Sequence, residues 1–329
     1  MILSAKEKQI VVAIKTLMAQ SGVLTMDELE KFGKEYFWSY KLNWNGGIES
    51  LQEKGIVFKE EDRFSINPKF NDLARDFQRK YYWVRFNYNQ WYAQGELSEA
   101  HSALCKESYG IDLCQTGMMT LKQIEYITKN IVEKDSKCLD MGCGSGYISE
   151  FISDACSCYV VGIDLMVNGI RIARKRTQSK MDKINFYRTD MTQYKTEDKY
   201  DYIFLFDTIY FISHKDKFLD NLQNMLKPKG KILIYYSAWK DKDTLFTPDK
   251  TALGSLLETM KFSYEYIDFT QDERKQWETK FHTLLKLKDQ FYSEGNDFVY
   301  DLRMREAEEF TELAKNDELF RYLYIINKI

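Results

Sequence analysis

Three glycines and an aspartate form the most chemically specific stretch of this sequence, CLDMGCGSGYISEFI, residues 138–152. Asp140 stands at the end of a predicted buried strand, and Gly142, Gly144 and Gly146 follow in a turn that leads into a predicted helix. Glycine lets the backbone approach a ligand where any Cβ atom would collide with it. A turn of this kind can hold the pyrophosphate of a dinucleotide or a sulfonium cofactor.

Two residues of this stretch separate the two ligands. The dinucleotide fingerprint G-x-G-x-x-G requires a third glycine at position 147, where this sequence has Tyr147. Asp140 at the head of the turn would repel a pyrophosphate, because both groups are anions. S-adenosylmethionine instead carries an ammonium group and a sulfonium, and a carboxylate attracts both. The turn therefore favours S-adenosylmethionine as the cofactor.

Further acids follow at the ends of later predicted strands. Asp164 ends the strand in VVGIDL, where a carboxylate can accept hydrogen bonds from both ribose hydroxyls of a nucleoside. Asp190, in INFYRTDM, can accept a hydrogen bond from the exocyclic amine of adenine, with Met191 packing on the ring. Asp207, in YIFLFDTIYF, lies where the cofactor would meet its substrate.

Four acidic strand ends in this order, with Asp140 leading a G-x-G-x-G turn, resemble the class I S-adenosylmethionine-dependent methyltransferases over residues 105–240. The resemblance implies a cofactor site made of the glycine turn and the strand-end residues: Asp140, Gly142, Gly144, Gly146, Asp164, Leu165, Asp190, Met191 and Asp207. Tyr109 and Gln115 are further candidates, because in this family the segment that leads into the fold often closes over the cofactor. Taken singly, an acid such as Asp164 is a common helix cap, so the ordered set carries the prediction.

The elements that must position these residues alternate between strand and helix. From residue 131 onward, runs such as CYVVGIDL and YDYIFLFD alternate with helical stretches such as KDKFLDNLQNML. This alternation predicts an α/β fold with a mostly parallel sheet covered by helices on both faces. The resemblance adds that the sheet is Rossmann-like, with seven strands of which the last, FRYLYIINKI, is antiparallel. We expect the methyltransferase domain to span residues 131–329, with a helical insertion near 272–316 that covers the acceptor.

The residues before this domain are predicted to form two further parts. Residues 1–75 have the order of a winged helix, three helices and then a hairpin, and residues 76–130 are predicted to form a helical linker and active-site lid. Residues 1–75 contain eleven Lys and Arg and eleven Asp and Glu. DNA binding needs a cluster of cations on one face, so we expect this part to join two chains into a homodimer or to cap the substrate.

Composition excludes several classes of function. The net charge of −3 provides no basic field for nucleic acid or for an anionic membrane. The longest apolar run, YIFLFDTIYFI, is 11 residues long and contains Asp207, so it is too short to cross a bilayer. The N-terminus lacks the features of a signal peptide, and the six cysteines include no C-x-x-C pair. We therefore expect a cytoplasmic protein with reduced thiols, no metal site, and no nucleic-acid or membrane partner.

The favoured acceptor is a small molecule, and the candidate catalytic residues are Asp207, Tyr210, His214 and His101. Each histidine also has an ordinary interpretation, as a helix-opening or packed residue. Tyr210 and Phe211 suggest an aromatic-walled pocket, which suits an amine through cation–π contact, with Asp207 as a countercharge. N-methylation of an amine is therefore favoured. The alternatives are O- or C-methylation of a small metabolite, a nucleic-acid-binding regulator with a methyltransferase-like core, and another reaction of S-adenosylmethionine.

Overall fold

The computed structural model describes residues 3–21, 24–36, 44–77, 83–212, 214–239 and 246–328. The chain divides into two compact units, Met1–Gln90 and Trp91–Ile329. The division lies inside the predicted linker 76–130, so residues 91–130 belong to the same unit as the predicted methyltransferase domain. Within the described ranges, no helix combines the length and the hydrophobicity that crossing a membrane requires.

The first unit contains the predicted three helices followed by a hairpin. Its elements are α1 (Ala5–Ser21), α2 (Met26–Tyr36), α3 (Trp44–Glu53), β1 (Val57–Glu60), β2 (Arg63–Ile66) and α4 (Asn71–Phe77). Strands β1 and β2 pair antiparallel. Apolar residues at helical spacing, among them Ile10, Ile14 and Ile48, are buried together in the core of this unit. Assignment to the winged-helix class stays a prediction.

The second unit alternates strands and helices from residue 137 onward. Helix α5 (Trp83–Gly95) leads into it, and the elements that follow are α6 (Glu99–Tyr109), α7 (Leu121–Asn130), β3 (Lys137–Met141), α8 (Tyr147–Cys156), β4 (Tyr159–Asp164), α9 (Val167–Arg176), β5 (Ile184–Arg188), β6 (Tyr200–Phe206), α10 (Lys215–Met225), β7 (Leu226–Trp239), α11 (Ala252–Thr259), β8 (Tyr264–Asp268), α12 (Thr270–Ser293), α13 (Asp297–Lys315) and β9 (Leu319–Asn327). The predicted helical insertion near 272–316 thus consists of two helices, α12 and α13.

These strands form one seven-stranded sheet with the order β5-β4-β3-β6-β7-β9-β8. Strands β3 to β7 pair parallel with their neighbours, whereas β9 runs antiparallel to both β7 and β8. The predicted Rossmann-like sheet with an antiparallel last strand is confirmed. The chain builds outward from β3 to β5 and then returns to β6 on the other side of β3. This reversal opens a crevice at the carboxyl ends of β3 and β6, the position where open α/β sheets bind ligands.

Alternating residues of the central strands serve two separate cores. In β3, Cys138 packs into a core with Ile127 of α7 and Ile152 of α8, whereas Leu139 packs into a core with Leu219 of α10 on the opposite face. Side chains alternate between the two faces of a strand, so a strand buried on both faces must be apolar at every position. This explains why β3, β4 and β6 have nearly continuous apolar sequences. It also places Asp140 and Asp207 at the carboxyl ends of β3 and β6, where the buried part of each strand stops.

Candidate active site

The glycine turn between β3 and α8 has room for glycine only. Gly142, Gly144 and Gly146 have φ values of 90°, 56° and 74°, in the left-handed region. A Cβ atom on Gly142 would lie 2.4 Å from Cγ2 of Thr208, and one on Gly146 would lie 2.5 Å from Cζ of Phe186. Backbone conformation and close packing therefore both require the glycines that the sequence places here.

Asp164, at the end of β4, ties its strand to the glycine turn. Its Oδ2 accepts a hydrogen bond from the backbone N–H of Gly144 at 2.9 Å, and its Oδ1 accepts one from Met166 at 2.7 Å. Burial raises the pKa of Asp164, and the two N–H donors oppose that shift. Leu165 follows directly, and its carbonyl accepts a hydrogen bond from Arg188 Nε at 3.2 Å. Backbone N–H groups therefore fix the orientation of the Asp164 carboxylate, which is predicted to bind ribose.

Asp140 lies at the carboxyl end of β3, below the glycine turn. It is buried, with 3% of its surface exposed, and one carboxylate oxygen accepts a hydrogen bond from Ser149 Oγ of α8. Burial raises the pKa of this carboxyl to about 7, which places its titration in the physiological range. Asp140 can therefore gain an ion pair with a cation that enters above the turn.

Asp190 and Met191 follow β5 at the edge of the sheet. Oδ1 of Asp190 accepts hydrogen bonds from the N–H of Thr192 at 2.9 Å and from its Oγ1 at 2.7 Å. These bonds fix the turn that Asp190 begins. Met191 packs against the core that includes Ile163. Both residues therefore lie on the turn after the strand where the adenine contact is predicted.

Asp207, at the end of β6, has its negative charge balanced by a buried arginine. Arg321 of β9 donates two hydrogen bonds to its carboxylate, from Nη2 to Oδ2 at 3.1 Å and from Nη1 to Oδ1. Oδ2 also accepts a hydrogen bond from the N–H of Met118 at 2.9 Å. The predicted free countercharge for a cationic acceptor at Asp207 is thus corrected, because a buried guanidinium already pairs with it. Asp207 also adopts a φ of 59°, which is rare for a residue other than glycine.

Glu273 of α12 is the second acid beside Arg321, and neither residue was among the candidates from sequence. Glu273 Oε1 accepts hydrogen bonds from Ser237 Oγ at 3.0 Å and from Trp277 Nε1 at 2.9 Å. Arg321 Nε lies 3.5 Å from Glu273 Oε2, and both side chains are fully buried. The available signal was an arginine inside the apolar strand LFRYLYII, because a fully buried arginine requires a carboxylate partner.

His101, predicted as a catalytic base, is a packed residue of α6. It is fully buried, and its Nε2 accepts a hydrogen bond from Trp91 Nε1 at 3.2 Å. The sulfur atoms of Cys105 and Cys114 lie 3.8 Å and 3.9 Å from its Nδ1. Burial lowers its pKa to about 3, so the ring is neutral and both nitrogens face protein atoms. The geometry therefore contradicts a role for His101 as a base that contacts the acceptor.

Of the other two catalytic candidates, Tyr210 has structural contacts and His214 is exposed. His214 precedes α10, its side chain makes no capping hydrogen bond to that helix, and its catalytic role stays a prediction. The Tyr210 hydroxyl donates to the carbonyl of Ser237 at 3.3 Å and also accepts a hydrogen bond from the N–H of Ser237. The ring of Tyr210 stacks on Tyr236, with centroids 5.1 Å apart. Tyr210 therefore contributes an aromatic wall, and burial keeps its pKa well above the usual value.

Tyr109 and Gln115 make hydrogen bonds within residues 109–117, part of the segment that is predicted to form a lid. Tyr109 is buried, and its hydroxyl donates to the carbonyl of Gly117 at 3.1 Å. Gln115 Oε1 accepts a hydrogen bond from the N–H of Leu113 at 2.9 Å, and its Nε2 donates to the carbonyl of Ile111 at 3.2 Å. These hydrogen bonds hold the segment that leads into α7, and the contact of Tyr109 and Gln115 with a cofactor stays a prediction.

The end of helix α5 and the residue that follows it contact the glycine turn and the start of α8. A Cβ atom on Gly144 would lie 2.6 Å from the hydroxyl oxygen of Tyr92. One helical turn later, Glu96 Oε1 accepts a hydrogen bond from the hydroxyl of Tyr147 at 2.9 Å. Sequence reasoning missed both residues, because nothing near Tyr92 or Glu96 in the sequence marks them as neighbours of the turn.

Comparison with known proteins agrees with this geometry. A family described as "Methyltransferase domain" matches residues 132–289. Phosphoethanolamine N-methyltransferase 1 of Arabidopsis thaliana is 28% identical over 226 residues, which cover 64% of this chain and 46% of that protein. Malonyl-[acyl-carrier protein] O-methyltransferase 2 of Ilyobacter polytropus is 31% identical over 147 residues, 44% of this chain and 54% of that protein. The chain thus spans about half the length of these curated relatives.

A solved structure shares the fold. Phosphoethanolamine N-methyltransferase 2 of Haemonchus contortus, in complex with phosphomonomethylethanolamine and S-adenosylhomocysteine, superposes with a TM-score of 0.59 at 18% identity. The superposition covers 73% of this chain and 60% of that protein. Together with the seven-stranded sheet and the glycine turn, the shared fold and the match over residues 132–289 agree with the resemblance to the class I S-adenosylmethionine-dependent methyltransferases.

Proposed function

We propose that this protein transfers the methyl group of S-adenosylmethionine to an amine nitrogen of a small molecule. The observation that carries the proposal is the glycine turn, where three positions without a Cβ atom lie between the carboxylates of Asp140 and Asp164. Such a cradle fits a nucleoside that carries positive charge. Relatives named for phosphoethanolamine N-methylation support an amine acceptor, although this chain covers 46% of the first of them.

Each residue around the turn has a distinct binding role in this proposal. Asp140 accepts a hydrogen bond from the cofactor's ammonium group, and Asp164 accepts hydrogen bonds from the ribose hydroxyls on lone pairs that its two backbone donors leave free. Leu165 and Met191 enclose the adenine ring, and the turn begun by Asp190 borders its exocyclic amine. These contacts involve groups already fixed in the ligand-free protein, so little ordering accompanies binding.

Once bound, S-adenosylmethionine supplies a methyl group that nitrogen displaces from sulfur, leaving S-adenosylhomocysteine and releasing one proton from the amine. The protein's task is to align the nitrogen with the carbon–sulfur bond and to exclude water. Tyr92 of α5 and Glu96, which follows that helix, lie against the glycine turn and the start of α8 and would close the crevice there. The aromatic ring of Tyr210 forms a wall beside Asp207 at the end of β6.

Nitrogen is favoured over oxygen because no histidine is placed to act as a base. His101 has both ring nitrogens against buried atoms, and His214 and His282 are exposed. A neutral amine attacks without further deprotonation, whereas a hydroxyl acceptor usually needs a base or a metal ion. O-methylation remains the second candidate, because one of the relatives is an O-methyltransferase.

The first unit, Met1–Gln90, has no assigned chemistry in this proposal. We assign it a dimerising or capping role, because residues 1–75 carry equal numbers of acidic and basic residues and present no cationic cluster in the sequence. We also propose that the protein acts in the cytoplasm and without nucleic acid. Light scattering of the full chain tests the dimer. A salt-dependent shift of duplex DNA would contradict the absence of nucleic acid.

The experiment that tests methyl transfer uses the full chain and S-adenosylmethionine labelled in its methyl carbon. A panel of small amines and a metabolite extract are incubated with both, and labelled products are identified by mass. We expect label on an amine nitrogen together with S-adenosylhomocysteine, and loss of both with Asp140→Ala. Cofactor binding without label on any small molecule would contradict the proposal, and methylthioadenosine as the product would indicate a different reaction.

A further inference from the structure

One face of α12 carries polar side chains that are buried without the partners that buried polar groups require. Glu273, Gln276 and Lys280 lie three and four residues apart, so they share one side of the helix. Their exposed fractions are 0%, 3% and 0%. Helix α12 packs against α6 and α13, so this face lies in the interior of the second unit.

Several polar atoms at this face have no hydrogen-bond partner within the described parts of the chain. They are Glu273 Oε2, both amide atoms of Gln276, Lys280 Nζ and, from α13, Arg303 Nε. Leaving a buried polar atom unpaired costs about 1–3 kcal/mol, and an unpaired buried charge costs more. Burial also lowers the pKa of the Lys280 amine to about 7. Several such atoms together form a position that a polar ligand would stabilise.

The groups around Lys280 indicate the sign of the charge that such a ligand would carry. Lys280 Nζ lies 3.5 Å from the ring centroid of Trp277 and 4.9 Å from that of Tyr109. Arg303 lies over the ring of Trp91 at 3.7 Å, and its nearby acid is Glu306, at 3.1 Å. Glu306 and Glu273 are the acids whose charges act on Lys280, and neither accepts a hydrogen bond from its Nζ. An anionic group would supply hydrogen-bond acceptors for Lys280 Nζ and for Arg303 Nε.

The same face also reaches the methyl-transfer end of the crevice. Seven residues separate Glu273 from Lys280, which is about 10 Å along a helix. Glu273 belongs to the Asp207–Arg321 cluster at the ends of β6 and β9, with Arg321 Nε 3.5 Å from its Oε2. Arg321 donates hydrogen bonds to the carboxylate of Asp207 and forms only an ion pair with Glu273 Oε2. This oxygen accepts no hydrogen bond from the described residues and can accept one from an incoming amine.

We propose that Lys280, Gln276 and Arg303 bind an anionic group of the methyl acceptor, while its amine lies at the Glu273 end of α12. The acceptor is then an amine that also carries a carboxylate or a phosphate, the two groups lying within about 10 Å of each other, the rise of seven helical residues. This inference rests on the proposed methyl transfer and names the residues that choose its substrate.

The test compares Lys280→Met with Lys286→Met, a matched change of an exposed lysine on the same helix. Three acceptors are assayed with the full chain: ethanolamine, β-alanine and phosphoethanolamine, which carry no anion, a carboxylate and a phosphate. With Lys280→Met we expect KM for the preferred anionic amine to rise about 30-fold relative to KM for ethanolamine, the loss of one charge-assisted hydrogen bond. Lys280→Arg should restore part of the affinity, and Lys286→Met should change nothing.

A second measurement does not depend on activity. Inorganic phosphate and acetate are titrated separately into the wild-type protein and into Lys280→Met, and the midpoint of thermal unfolding is recorded. We expect the preferred anion to raise the midpoint of the wild-type protein only. We also expect Lys280→Met without anion to unfold at a higher temperature than the wild-type protein, because it removes a buried amine that has no hydrogen-bond partner within the described residues.

The outcomes separate this inference from the proposed function. Equal turnover of ethanolamine and both anionic amines by the wild-type protein would overturn the inference and leave methyl transfer intact. An equal loss with all three acceptors in Lys280→Met would reduce Lys280 to a structural role and would also overturn it. Anion-dependent stabilisation lost in Lys280→Met, without methyl transfer to any amine, would support the anion site and contradict the proposed function.

Discussion

The two halves of the candidate site are built by different means. On the side of β3 and β4, Asp164 binds the backbone N–H of Gly144, twenty residues earlier in the chain, and glycines supply the shape. On the side of β6 and β9, Asp207 binds the guanidinium of Arg321, 114 residues later, and buried side chains supply the charge. The half made by β3 and β4, which we call the cofactor half, thus depends on local backbone conformation. The half made by β6 and β9, which we call the acceptor half after the proposed methyl acceptor, depends on charges that only the complete fold brings together.

The largest expected effect lies in the acceptor half. Arg321→Met leaves the carboxylates of Asp207 and Glu273 buried beside each other without a cation. Breaking one side of a buried ion pair costs about 3–5 kcal/mol, so we expect the free energy of unfolding to fall by that amount in urea titration. Lys129→Met, which breaks an exposed pair with Glu125 on α7, should change it by less than about 1 kcal/mol. A similar small change for Arg321→Met would show that side-chain charge does not hold this half together.

The next effect lies in the cofactor half. Gly146→Ala places a Cβ atom 2.5 Å from Phe186 Cζ and 2.9 Å from Ala173 Cβ, at a φ of 74°. Overpacking and the left-handed conformation together should cost about 2–4 kcal/mol of stability and weaken cofactor binding in calorimetry. Gly295→Ala is the matched control, since its φ is 69° and no atom lies within 4 Å of the added Cβ. It should cost about 1–2 kcal/mol and leave cofactor affinity unchanged.

The smallest effect concerns proton binding by Asp140. Its pKa of about 7 means that the carboxyl must lose a proton before it can pair with the ammonium group of the cofactor. We expect cofactor affinity to fall about tenfold for each pH unit below 7 and to level off above 7, as a single ionisation requires. Calorimetry between pH 5.5 and 8.5, values chosen to span about one to two units around that pKa, measures it. Asp140→Asn should remove this dependence, and an unchanged profile in Asp140→Asn would assign it to another group.

The same ionisation affects the stability of the ligand-free protein in the opposite sense. The folded state holds the proton of Asp140 at a higher pH than the unfolded state does, because burial raises its folded pKa. Asp140 therefore contributes stability at low pH that is lost as pH rises from the ordinary carboxyl pKa to about 7. Unfolding titrations of Asp140→Asn, compared with the wild-type protein, isolate this contribution.

The difference between the two halves also explains what could be predicted from the sequence. Asp140, the three glycines and Asp164 lie on strand ends and turns whose positions follow from the period of the apolar residues. The sheet, its antiparallel last strand and the helices α12 and α13 follow from the same patterns and from the family resemblance. The burial of His101 against Trp91 could not be predicted, because a histidine's neighbours are set by packing, and a catalytic role for the exposed His214 stays a prediction.

Residues of the acceptor half could not be located in the same way. Arg321 reaches Asp207 because β9 enters the sheet beside β7, and Lys280 is buried because α6 and α13 both cover α12. These placements follow from contacts between elements that are distant in the chain, and periodicity alone does not determine them. A charged residue inside an apolar strand or on the inner face of a helix is the one local sign that such a contact exists.

The position of Tyr92 has a consequence for the rates at which ligands enter and leave. Its hydroxyl lies where the backbone of Gly144 faces the crevice, so a ligand that occupies the glycine turn must displace the ring or pass beneath it. Association should then be slower than collision allows, with a rate constant at or below about 10⁵ M⁻¹s⁻¹, because opening precedes entry. Release of S-adenosylhomocysteine would wait for the same movement. Turnover would then be limited by the movement of the Tyr92 ring, and Tyr92→Ala would speed ligand exchange.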